Sequence, residues 1–172
     1  MKGANKLLLD VSGQPMIRKV VETVIASKID PVLAITGFER ERIEASLEGL
    51  SVSFEFNDQF EEGMGSSIAK GIRSLDTSDL DGVLLCLGDL PKLSRKLVEA
   101  VLVAFADGEG KRIVVPVFRG RRGHPVIFPA RFKEELERLD GDVGARQLLQ
   151  RERDSLIELE VEDEGAVYDW DS

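Results

Sequence analysis

Apolar and polar positions alternate along this chain with a period that switches repeatedly between helix and strand. Met16, Ile17, Val20, Val21, Val24 and Ile25 recur at helical spacing and predict one amphipathic helix. Pro15 suits its first position, where the missing N–H has no helical partner anyway. Val32-Leu33-Ala34-Ile35-Thr36, bounded by Pro31 and Gly37, reads as a short buried strand. A charged helix over Glu39 to Leu47 follows, buried mainly through Ile43 and Leu47. Val52, Phe54 and Phe56 alternate with Ser53 and Glu55, which predicts a half-buried strand with its apolar side inward.

After Asn57 a loop leads to a helix that opens at Gly63-Met64-Gly65-Ser66-Ser67. Gly82 to Leu87 is continuously apolar, as expected of a central parallel strand. Ser94 caps a helix running towards Phe105, with Leu97, Val98, Val101 and Leu102 on its inner face. Ile113 to Phe118 and Pro125 to Phe128 flank the basic turn Arg119-Gly120-Arg121-Arg122-Gly123, a late β-hairpin. Arg131 to Leu139 is helical, and Gly141-Asp142-Val143-Gly144 introduces a short helix ending near Arg151. Leu156 to Val161 alternates as a strand, and Val167-Tyr168-Asp169 closes the chain as another. The expected architecture is one α/β domain over residues 1–172, with a mostly parallel sheet, helices on both faces and the late hairpin.

Composition narrows the partners. Apolar residues make up 42% and charged residues 32% of the 172, a globular balance. The net charge of −9 argues against a phosphate-backbone grip, so nucleic acid is not an expected partner. No apolar run approaches the roughly 18–20 residues of a membrane span, and no membrane partner is expected. The single cysteine, Cys86, forms no intrachain disulfide, and no secretory pattern stands at the N-terminus. A cytoplasmic location is the expectation.

Candidate chemistry gathers at strand ends and helix starts. In open parallel sheets, ligands bind beyond the carboxyl ends of the strands, where Gly88-Asp89-Leu90-Pro91 falls. Asp89 offers a hard oxygen ligand suited to Mg²⁺, or simply caps a turn. In Asp169-Trp170-Asp171 the two carboxylates of an extended chain point the same way; they complete a metal site or belong to a solvated tail. Lys6 is the cation before the first apolar run. Gly63 to Ser67 present the N–H groups of a helix start to an anion or to the edge of a base. His124, the sole histidine, is either a ligand contact or a satisfied loop residue, and it cannot build a zinc site alone. Arg146 sits where an arginine binds phosphate, or serves as a surface charge.

The order of these motifs is more specific than any one of them. Asn5-Lys6-Leu7-Leu8-Leu9, Gly13-Gln14-Pro15-Met16, Glu62-Gly63-Met64-Gly65-Ser66-Ser67 and Leu87-Gly88-Asp89-Leu90-Pro91 resemble the molybdenum cofactor cytidylyltransferases. Arg122-Gly123-His124-Pro125-Val126-Ile127-Phe128, Gly141 to Arg146 and Asp169 to Ser172 continue the resemblance to the end of the chain. It implies a Rossmann-like nucleotidyltransferase fold. The implied reaction is transfer of a cytidylyl group from CTP to the terminal phosphate of the molybdopterin cofactor, with release of pyrophosphate. It further implies Asp89 and Asp171 as Mg²⁺ ligands and Lys6 as the cation on the triphosphate. Asn57, Gly63, Met64, Gly65, Ser66, Ser67 and Gly88 would line the nucleotide, and His124 and Arg146 would face the acceptor. A molybdoenzyme that receives the product is a further implied partner. Asn5 before Lys6 and Gly88 before Asp89 favour CTP over GTP, as in the cytidylyl branch.

One departure carries weight. Members of that family begin with a strand and a glycine-rich loop, Leu-x-Ala-Gly-x-Ser-x-Arg-Met-Gly, ahead of the lysine. Met1 matches the methionine of that loop, so the first strand and the triphosphate-holding glycines are missing from the sequence. That strand should be central, and its loss should leave an apolar gap between two strands with unpaired backbone. Three readings follow. The sequence starts inside a longer protein, another segment or chain fills the gap, or the protein binds or inserts the cofactor without transferring nucleotides.

Overall fold

The computed structural model describes residues 5–76, 79–142 and 144–168. Helices and strands alternate from the start: α1 (Met16–Ala26), β1 (Leu33–Thr36), α2 (Arg40–Ser46), β2 (Ser53–Phe56), α3 (Met64–Ser74), β3 (Gly82–Leu85) and α4 (Arg95–Asp107). Then come β4 (Ile113–Phe118), β5 (Arg121–Arg122), β6 (Val126–Pro129), α5 (Lys133–Glu137), α6 (Arg146–Arg151) and β7 (Leu156–Glu160). This is the α/β, Rossmann-like architecture of the nucleotidyltransferases, with helices flanking a mixed sheet. None of the described helices is long and apolar enough to cross a membrane.

The strands form two hydrogen-bonded groups. β1 and β2 pair in parallel, Leu33 opposite Ser53 through Thr36 opposite Phe56. The other group runs β3-β6-β4-β5, with β7 added parallel to β4. Its antiparallel pairs all come from the late hairpin. The two-residue turn at Arg119-Gly120 folds β5 onto β4, and β6 then returns between β4 and β3. The expected hairpin partner of β4 is thus shared with β3.

β4 shows why the core has two sides. Ile113 and Val115 enter one cluster with Ile72, Phe128, Leu136 and Leu148, beneath α3, α5 and α6. Val114, between them, packs with Val101, Phe105 and Ile127 beneath α4. Ile113, Val114 and Val115 are fully buried. On the α4 side, Val20 and Val24 of α1 meet Leu97 and Val98, and Ile17 and Val21 meet Ile43 and Leu47 of α2. Ser94 caps α4 as expected, its Oγ accepting from the Leu97 N–H at 3.1 Å.

Several local expectations are corrected. Gly82 to Leu85 forms not a strand paired on both sides but the outer strand of its group, half-buried and antiparallel to β6. Phe54 and Phe56 are not buried; they are 37% and 36% exposed on β2, the edge strand beside β1. The Arg40 guanidinium covers Phe56 instead, 4.7 Å from its ring centre. Pro15 is the cap that precedes α1 and not its first residue. Val167 and Tyr168 follow a 3₁₀ turn, Glu164–Ala166, and form no strand.

β1 and β3 are not paired with each other. They face one another across a cavity of about 1420 Å³, walled by Val20 and Val24 of α1 and by Ile68 and Ile72 of α3.

Candidate active site

The site is built outward from the end of β3. After Leu85 the chain continues through Cys86 and Leu87 to Gly88, where the turn preceding α1 packs closely. A Cβ at position 88 would stand 2.7 Å from Ile17 Cδ1, so any larger residue there would push the Ile17 side chain aside. The next residue, Asp89, places its carboxylate 2.8 Å from Lys6 Nζ, with the side chains 20% and 38% exposed.

Lys6 is held there by its neighbour. Residues Lys6–Leu8 form a 3₁₀ turn that Asn5 caps, its Oδ1 accepting from the Leu7 N–H at 3.2 Å. The Asn5 amide also donates to the Phe38 carbonyl at 3.2 Å, just past the end of β1. Asn5 and Lys6 together therefore bridge the carboxyl ends of β1 and β3. Sequence reading used Asn5 only as a mark of resemblance and missed this bracing role, which depends on the spacing of two distant strands.

His124 enters from the β5–β6 connection. Its N–H donates to the Ala166 carbonyl at 2.8 Å, and the Leu85 carbonyl accepts from the ring. Nδ1 is buried without a hydrogen-bond partner among the described residues. Burial pushes the imidazole below the usual histidine range, while the Leu85 carbonyl and the Asp89 charge pull it back up. Cys86 lies on the same strand end, and burial, helped by the Asp89 charge, pushes its thiol up to about 12.

The start of α3 forms a second group. Asn57 is 2% exposed, and its amide donates to Ser66 Oγ at 2.9 Å and Ser67 Oγ at 3.0 Å. Its Oδ1 accepts from the Gln59 N–H at 3.1 Å, so both ends of the amide are engaged in organising the loop. Gly63 and Gly65 let residues 140–142 pass against the helix start. A Cβ at Gly65 would collide with the Asp140 carbonyl, and the Gly65 N–H donates to the Gly141 carbonyl at 2.8 Å. That N–H is spent on the protein, contrary to the expectation of a donor open to an anion.

Met64, Ser67, Gly88, His124 and Arg146 line the large cavity, with Arg146 as the first residue of α6. Lys6 and Asp89 stand beside it at the end of β3. Asn57, Gly63, Gly65 and Ser66 are not among its lining residues. Arg121 and Arg122 also line it, Arg122 pairing with Glu158 at 2.5 Å. From sequence they were only a basic turn, because their direction depends on the pairing of β5 with β4. Asp171 lies outside the described residues. Among the described residues no cluster of three or more His, Cys, Asp or Glu side chains is arranged to hold a metal ion.

Residues 1–156 match the MobA-like NTP transferase domain. The chain belongs to this family. A relative in Bacillus subtilis (strain 168), the purine catabolism protein PucB, is 31% identical over 99% of this chain and 85% of its own length. Nicotine blue oxidoreductase of Paenarthrobacter nicotinovorans is 27% identical, over 97% of this chain and 83% of its own. Among solved structures, Rv0371c from Mycobacterium tuberculosis H37Rv superposes with a TM-score of 0.77 at 22% identity, covering 92% of this chain and 80% of that one. For this MobA-like transferase domain the elements that bring Lys6 to Asp89 are therefore features of a nucleotidyltransferase fold.

Proposed function

We propose that this protein transfers a cytidylyl group from CTP to the terminal phosphate of the molybdopterin cofactor, releasing pyrophosphate. The observation that carries the reading is the Lys6–Asp89 pair at the carboxyl end of β3. The family membership and the ordered motifs from Asn5-Lys6 to Gly141-to-Arg146 support it.

The chemistry asks little of a general base. The acceptor phosphate is already an anion; its oxygen attacks the α-phosphorus, the bond from that phosphorus to the bridging oxygen breaks, and pyrophosphate leaves with the electron pair. Charge neutralisation and alignment then dominate the barrier. Lys6 stands ready to neutralise phosphate oxygens. Asp89 has the donor chemistry for Mg²⁺, which takes one or two protein carboxylates beside phosphate oxygens and water. Asp89, with Asp171 as a second ligand, would hold the ion, whose chemistry there would be neutralisation of phosphate charge. On this reading Met64 and Ser67 would contact the base or ribose and His124 and Arg146 the acceptor; all four line the cavity.

Asn5 and Gly88 favour CTP over GTP. A second reading, a binding or insertion factor for the cofactor without nucleotide transfer, is favoured by one observation: the gap between β1 and β3. Pyrophosphate release from CTP and from GTP, with Mg²⁺ and molybdopterin cofactor, separates the readings. Release from CTP supports the proposal. Release from GTP alone, or cofactor binding with no release from either, overturns it.

A further inference from the structure

The chain after β7 is wedged between the two loops that carry Asp89 and His124. It forms the 3₁₀ turn Glu164–Ala166, in which Gly165 and Ala166 are buried. On one side the turn lies against Lys92, three residues past Asp89: a Cβ at Gly165 would stand 2.3 Å from the Lys92 carbonyl oxygen. On the other side the Ala166 carbonyl accepts from the His124 N–H at 2.8 Å, and a Cβ at Gly123 would stand 2.0 Å from its oxygen. Two glycines thus let three backbone segments meet without side chains between them. Ala166 also shares a buried cluster with Leu90 and Leu93, on either side of Pro91-Lys92.

Asp163 fastens this turn. Its Oδ1 accepts from the Gly165 N–H at 2.8 Å and closes the turn on itself. Its Oδ2 accepts from the Ser94 hydroxyl at 2.5 Å, and Ser94 caps α4. Hydrogen bonds to a carboxylate are stronger than those between neutral groups, so this half-buried side chain firmly links the turn to the far end of the Asp89 loop. The Lys92–Glu164 pair, 2.7 Å apart, spans the same two segments, but both side chains are exposed and the pair holds them weakly.

The link matters because Asp89 and His124 are held unequally. The His124 ring is tied to the end of β3 by the Leu85 carbonyl. Asp89 stands beyond Cys86-Leu87-Gly88, and its pair with Lys6 is partly open to solvent. Its loop therefore needs a second hold where it enters α4. We propose that Asp163 is a positioning residue of the active site, which through the Glu164–Ala166 turn sets the spacing between the Asp89 carboxylate and the His124 ring. The proposal rests on the reading of Asp89 and His124 as members of one site. Asp163 is not among the residues that line the cavity, so it acts through these two. A reacting group misplaced by about 1 Å costs roughly a hundred-fold in rate.

A double-mutant cycle reads the spacing without turnover. His124 is the sole histidine, so its ring gives one set of nuclear magnetic resonance signals, and the Asp89 charge acts on it. The shift that Asp89→Asn causes in those signals is measured at pH 8, in the parent and again with Asp163→Ala. With Asp163→Ala the response is expected to fall to about half or less, because the two residues no longer keep their distance. Asp163→Asn keeps an acceptor for the Gly165 N–H and a partner for Ser94, and should restore it. Should Asp163→Ala fold poorly, Asp163→Ser serves in its place: serine caps the turn but is too short to hold Ser94 as well. In pyrophosphate release from CTP, with Mg²⁺ and molybdopterin cofactor, Asp163→Ala should lower kcat about 10–100-fold and leave KM for CTP within about three-fold. An equal ring response in both backgrounds overturns the proposal, and so does a kcat unchanged by Asp163→Ala. A parent that releases no pyrophosphate defeats the proposed reaction instead, and the ring response alone then decides the role of Asp163.

Discussion

Lys6 Nζ and the Asp89 carboxylate lie 2.8 Å apart, joining a turn at the start of the described chain to the end of a strand more than eighty residues later. The pair is partly open to solvent, and such pairs contribute less than about 1 kcal/mol to stability. Its placement beyond the carboxyl end of β3 is where a doubly wound sheet puts its ligand. That placement is the ground for the functional role proposed for the pair.

Replacing either member should therefore act on catalysis and spare the fold. Lys6→Ala is expected to lower pyrophosphate release roughly 10²–10³-fold, the usual loss when one preorganised charge is removed. Asp89→Ala is expected to abolish it, with melting temperature shifted by only a few degrees in either variant. Turnover unchanged in Asp89→Ala would defeat the site assignment.

Asn57 is predicted to behave in the opposite way. Its buried amide holds Ser66 and Ser67 and accepts from Gln59, so Asn57→Ala removes the bonds to Ser67 and to the Gln59 N–H and one of those to Ser66. An unsatisfied buried group costs about 1–3 kcal/mol, which for a chain of this size lowers the melting temperature by roughly 3–10 °C. Thermal unfolding monitored by circular dichroism measures it. A variant that melts with the parent shows the network to be dispensable.

These two cases mark where sequence reading succeeds and stops. Periodicity was enough for the helices and most strands, since Val20, Val24, Val98 and Val101 bury one face of a helix wherever it packs. The outer position of β3 was not legible, because a run such as Val83-Leu84-Leu85 has the same apolar character whether its neighbours are present or not. Phe54 and Phe56 misled for the converse reason: alternation says two faces differ, not how deeply either is buried. In the site, Lys6, Gly88 and Asp89 were readable as motifs. The engagement of Asn57 and of the Gly65 N–H with the protein itself was not, since both contacts depend on how distant loops pass one another.

Cys86 gives a chemical check on the environment around the end of β3. With its thiol pushed up to about 12 by burial and by the Asp89 charge, almost none is thiolate at pH 8. The thiolate is the nucleophile, so alkylation by iodoacetamide should be on the order of a thousand-fold slower than in the urea-unfolded chain. Comparable rates in the two states would show that the strand end is open to water. Asp89→Asn removes the charge and should speed the folded-state reaction modestly.

His124 makes stability depend on pH in a definite direction. Burial lowers its folded pKa below the unfolded value of about 6.5, so in the interval between the two the unfolded chain holds a proton that the folded chain does not. Stability from this group is therefore complete above about pH 6.5 and is lost as pH falls from there towards the lowered folded value. The slope approaches at most about 1.4 kcal/mol per pH unit. His124→Asn removes the titration while the carboxylates common to both proteins still titrate, so the difference between the two denaturation curves isolates it. From pH 7.5 to pH 5 the parent should lose more unfolding free energy than the variant. A parent that instead gains on the variant as the solution is acidified would mean that the folded ring takes up its proton more readily than the unfolded one, and that the Asp89 charge and the Leu85 carbonyl outweigh burial.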